Sequence, residues 1–117
     1  MKTARLNKAA AIRELEARLD AGRRLQERAF EAHEALAEAM VERLEWHVSV
    51  MKLLPRIPKG IQAAADFNRP ARAGAPDLRP PLAEEVRRFR QALGQQLLSL
   101  ERTLERVRKL GTRQLEL

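Results

Sequence analysis

Nine apolar residues near the end of this chain restrict its fold more than any other feature. Leu82, Val86, Phe89, Leu93, Leu97, Leu100, Leu104, Val107 and Leu110 recur at intervals of four and three. That period follows one face of an α-helix, and its mixture of threes and fours is that of a seam between paired helices. Pro80 and Pro81 suit the first turn, Glu84 and Glu85 put negative charge where the helix dipole favours it, and Gly111 supplies a stop. The pattern predicts a helix over about 81–110. A narrow seam needs a second helix along it, so the chain is expected to be all-α. Leu98 falls outside the seam, where a further partner helix could meet it.

The second helix is sought upstream, where residues 3–54 hold no proline and a single glycine, Gly22. Apolar or small residues recur at Ile12, Leu15 and Leu19, then at Phe30, His33, Ala37, Met40, Leu44, Val48 and Met51. The step from Leu19 to Phe30 is close to three whole turns, so the face keeps its phase across Gly22. The expectation is one helix over about 3–54 with Thr3 as a possible cap, kinked at most at Gly22; the alternative is a turn at Asp20-Ala21-Gly22. Pro55 ends the pattern. A short helix over about 58–67 should follow, turning Ile61, Ala64, Ala65 and Phe67 inward, and then a Pro- and Arg-rich loop over 68–80.

These elements make one helical domain over 1–117: a long antiparallel hairpin, or a small bundle if Gly22 breaks the first helix. In the hairpin the last helix covers roughly residues 26–54. The first stretch then overhangs with Ile12, Leu15 and Leu19 uncovered, which calls for a protein partner or a second copy. Only four aromatics are present, Phe30, Trp46, Phe67 and Phe89, so burial should come from narrow leucine and alanine seams.

Cysteine is absent, which excludes disulfides and thiolate metal sites and fits a reducing compartment. No apolar run approaches the roughly 20 residues of a membrane span, and the first residues lack an apolar signal core. The chain reads as cytoplasmic.

The net charge of +7 is unevenly spread. Residues 1–24 hold seven basic and three acidic side chains, 25–51 two and six, 52–90 nine and four, and 91–117 five and three. The acidic block contains a row, Glu27, Glu31, Glu34, Glu38, Glu42 and Glu45, at helical spacing. It could recognise a basic partner, or pair with Arg87, Arg90, Arg102 and Arg106 of the last helix. The second is favoured, and it would leave the basic blocks facing solvent.

Enzyme signatures are few. The stretch RAFEAH sets Arg28 five positions before His33, and this pair resembles the Arg–His dyad of small helical ribonucleases of the HEPN group. That resemblance implies RNA cleavage dependent on His33. On a continuous helix, however, the two side chains diverge by about 140°. His47 beside Trp46 has Leu44, not glutamate, three residues before it, so the helical di-iron pattern is absent. No glycine-rich phosphate loop, zinc spacing or Ser/His/Asp set is present. No cofactor, metal or enzymatic activity is expected.

Function is therefore sought in binding. In the hairpin, Arg56, Lys59, Arg69, Arg72, Arg87, Arg88 and Arg90 would gather at one end, where few acids face them. Clustered arginine suits phosphate contacts, and the scarcity of aromatics argues against base stacking. The first functional expectation is a non-enzymatic accessory subunit that binds nucleic-acid backbone within a ribonucleoprotein or oligomer. The second is a coiled-coil protein–protein adaptor, chaperone or phage structural component. A HEPN-like ribonuclease is the third.

Overall fold

The computed structural model describes residues 5–58, 64–68 and 80–111. Its secondary structure is helical: α1 (Lys8–Glu27), α2 (His33–Leu53), a 3₁₀ turn (Leu54–Arg56), the short α3 (Ala64–Asn68) and α4 (Leu82–Arg108). The three long helices form an elongated bundle of 52 × 24 × 23 Å. The all-α expectation holds, as a bundle and not as a two-helix hairpin.

The upstream segment is not one helix. It divides at residues 28–32, not at Gly22, and α2 folds back along α1. Helix α1 starts at Asn7, whose side-chain oxygen accepts from Ala10 N at 2.8 Å. At its other end Arg28 turns extended, and the freed carbonyls are satisfied from a distance. Arg90 of α4 donates from Nε to Gln26 O (3.0 Å) and from a terminal nitrogen to Arg28 O (2.9 Å). Phe30 packs edge-on against Phe89 with ring centres 5.8 Å apart, and the Arg90 guanidinium lies 6.0 Å from its centre. With α2 folded back, α4 packs along α1, and Leu15 and Leu19 are each at most 1% exposed where a continuous helix would have left them bare.

Gly22 lies inside α1 and is buried. A Cβ there would stand 2.6 Å from Leu97 Cδ2 and 2.8 Å from Trp46 Cζ2. The missing side chain is what allows α2 and α4 to close on α1 at this level. Trp46 is held there by donating from Nε1 to Arg18 O at 2.8 Å.

Helix α4 follows the seam closely. Val86, Phe89, Leu93, Leu97, Leu100, Leu104 and Val107 are all buried, and Glu84 and Glu85 occupy the first turn. Its main partner is α1, antiparallel to it: Arg90 reaches Gln26, Arg23 pairs with Glu101 at 3.0 Å, and Arg108 with Glu16 at 3.5 Å. Helix α2 is also antiparallel to α1, since Arg28 pairs with Glu42 (2.7 Å) and Arg18 donates to Ser49 O. Helices α2 and α4 are thus parallel, and the chain must return along the bundle between them.

Helix α3 lies partway along that return. Phe67 is fully buried, 5.4 Å from Trp46 and stacked 4.9 Å from His47. Below it, buried Gln96 donates from Nε2 to Phe67 O (3.1 Å) and to His47 Nδ1 (3.0 Å), while its oxygen accepts from Arg43 Nε at 2.9 Å. One side chain thereby ties α2, α3 and α4 together. The expected helix over 58–67 corresponds to α3; residues 59–63 and 69–79, including Ile61, lie outside the described residues.

Candidate interaction face

Helix α2 is apolar around roughly 240° of its circumference, taking 100° per residue. Leu36, Ala39, Trp46, Val50 and Leu53 form the inner stripe and are buried. The outer stripe, Met40, Val41, Leu44 and Val48, is 52%, 55%, 65% and 50% exposed. Ala37 continues it, and Ala37, Val41, Leu44 and Val48 keep the 4-3-4 spacing of a helix-packing seam. The stripe expected to face the core is, at Met40, Leu44 and Val48, the one that faces outward. Both stripes have helical period, and Trp46 decides which is buried: its ring fills the space over Gly22, and its N–H needs the Arg18 carbonyl.

The outer stripe has two unlike borders. Along one run Glu34, Glu38 and Glu45, all exposed and without an ion pair among the described residues, with Lys52 at the far end. On the other stand Arg43 and His47, both held by Gln96. Burial lowers the pKa of Arg43, leaving it charged from so high a starting point. The His47 pKa is also lowered, chiefly by burial and further by the Arg43 charge, against a hydrogen bond with Asn68 that raises it. Neutral His47 then offers Nδ1 as acceptor to Gln96.

The acidic row does not pair with α4 as expected. Glu42 goes to Arg28 in the linker, while Arg102 and Arg106 are exposed on α4 without an ion pair among the described residues. The reason is topological: α4 packs mainly on α1, and its solvent face never meets the α2 acids.

Nor are the expected nucleic-acid contacts brought together. Arg56 lies where the carbonyl of that residue accepts from Leu6 N, at the end of the bundle holding the start of α1. Arg87, Arg88 and Arg90 lie at the opposite end, on the order of 35 Å away by the rise of α2. Arg87 and Arg88 share the Glu84 carboxylate at 3.8 and 2.7 Å, and Arg90 caps α1. Lys59, Arg69 and Arg72 lie outside the described residues.

Arg28 and His33 also part company. Arg28 binds Glu42, and the linker directs His33 toward α4, where Nε2 sits 3.3 Å from Glu85 Oε2. The two atoms lie close but out of line, and the buried Nε2 makes no hydrogen bond. No group of three or more candidate metal ligands occurs among the described residues, and no described helix is long and apolar enough to cross a membrane. No known protein family, curated protein or solved structure matches the chain.

Proposed function

We propose that this chain is a helical protein–protein interaction module that docks through the outer face of α2. The observation that carries this reading is the stripe of Met40, Val41, Leu44 and Val48, each at least half exposed although 19 other apolar residues among those described are buried. Together these four present an apolar patch of about 400 Å², within the range of the largest patch on a typical monomer, which is often a functional surface. A photo-cross-linking residue at position 44, compared with one at position 102 on α4, tests it in the native host. A discrete adduct at 44 and none at 102 is expected. Equal labelling at both positions would remove the basis for a dedicated face.

Nucleic-acid backbone binding is the second reading. It is supported by the net charge of +7 and by exposed Arg102 and Arg106, further along the same solvent side of α4 as Arg87 and Arg88. It ranks second because Arg90 is occupied in the fold and Arg56 lies at the other end. Its signature would be affinity that falls steeply with salt and weakens when Arg102 and Arg106 become glutamate.

A further inference from the structure

We infer that the occupant of the α2 outer face is a cationic amphipathic helix: an apolar stripe bordered by lysine or arginine. The inference rests on the docking role proposed for α2 and adds the chemistry of the partner. Its ground is the unequal borders of the stripe. Glu34, Glu38 and Glu45 form an open acidic edge with no ion pair among the described residues, whereas Arg43 is committed to Gln96 and His47 to Gln96 and Phe67. A helix laid along the stripe therefore meets free charge of one sign on one side. Basic side chains at its flanking positions would pair there, as flanking charges do between coiled helices.

A second copy of this chain fits less well. Two antiparallel α2 helices related by a twofold axis set each border against itself, so the glutamates oppose glutamates with only Lys52 to relieve them. A parallel pair would need the border that α3 and α4 already hold through Phe67 and Gln96. The apolar patch of about 400 Å² is also half of what one partner contributes to a standard stable interface. The net charge of +7 opposes self-association further.

The test uses two dye-labelled helical peptides of about 18 residues, five turns, with the same leucine stripe but lysine or glutamate on the flanks. Binding to the full chain is read by fluorescence anisotropy at low salt. The lysine peptide should bind about tenfold more tightly, as three surface ion pairs allow. Leu44→Asp should abolish binding, and Glu34→Lys, Glu38→Lys and Glu45→Lys together should reverse the preference. All four positions are exposed, and circular dichroism would check that the helices persist. Equal affinity for both peptides, or a preference that survives the triple reversal, overturns the cationic partner while leaving α2 a docking face. So does a dimer in sedimentation that Leu44→Asp dissociates, which would make the occupant a second copy. Peptide binding and self-association that both ignore Leu44→Asp would sink the docking face itself.

Discussion

Replacing Gly22 with alanine should destabilise the protein although alanine is the better helix former. In an open helix the change would stabilise by about 1 kcal/mol. Here the new methyl would stand 2.6 Å from Leu97 Cδ2 and 2.8 and 3.1 Å from two atoms of the Trp46 ring. Leu97 can turn a rotamer, but Trp46 is a rigid ring held by its 2.8 Å bond to Arg18 O, so α2 must move outward. Overpacking of this kind costs about 1–3 kcal/mol, and the lost Trp46 bond about another 1. The net expectation is a loss of about 1–3 kcal/mol, several degrees in Tm for a domain of this size. Gly94 is the internal comparison. Its added Cβ would meet only the end of the Gln26 side chain, 2.7 Å away, which can swing aside after giving up its bond to Arg90 O. Gly94→Ala should therefore be neutral or mildly stabilising. Urea denaturation followed by circular dichroism measures both. Gly22→Ala at or above wild-type stability would refute the close approach of α2 and α4 to α1, as would an equal loss from both substitutions. Pairing Gly22→Ala with Trp46→Leu should recover part of the loss, because the obstructing ring is gone.

Three further outcomes follow from the same contacts. Gln96→Leu should cost about 1–3 kcal/mol, because Phe67 O, His47 Nδ1 and Arg43 Nε all lose a partner at once; the urea midpoint reports it. The lowered pKa of His47 means that the unfolded chain takes up the proton more readily than the folded one, so stability is full above about pH 6.5 and declines as pH falls below that value. His47→Gln should flatten that part of the stability–pH curve, and an unchanged slope would contradict the assignment. Arg90→Ala removes the cap on α1 and the cation over Phe30, so amide exchange should accelerate across residues 26–32 before it does elsewhere.

The α4 seam could be read from sequence because it lies in a single run of apolar residues and one period accounts for it. The turn at residues 28–32 could not. Arg28 to Ala32 contain neither glycine nor proline, and the cap that ends α1 comes from Arg90, more than 60 positions away. Gly22 reads in the sequence as a break, yet its role is contact, a distinction that depends on Trp46 being opposite it. Helix α2 misled differently, since it carries two apolar stripes and periodicity alone ranks neither. Leu36, Trp46, Val50 and Leu53 all lie off the Met40–Leu44–Val48 stripe, and that excess is the sign in the sequence of a second face. A hairpin, with its one turn, would gather the arginines at one end; with α2 and α4 parallel, Arg56 and Arg88 fall at opposite ends.

The parallel run of α2 and α4 also sets an order of events on the ribosome. Leu19 emerges with α1 but is covered largely by α4, whose Leu104 is made 85 residues later. Once α2 is complete at Leu53, 51 residues remain before Leu104, so at typical synthesis speeds of about 5–20 residues per second the α1–α2 pair waits on the order of 3–10 s with its inner leucines wet. During that interval both sides of α2 are adhesive, and only afterwards does the inner one close. The nascent chain should therefore lean on chaperones most heavily between completion of α2 and release of α4.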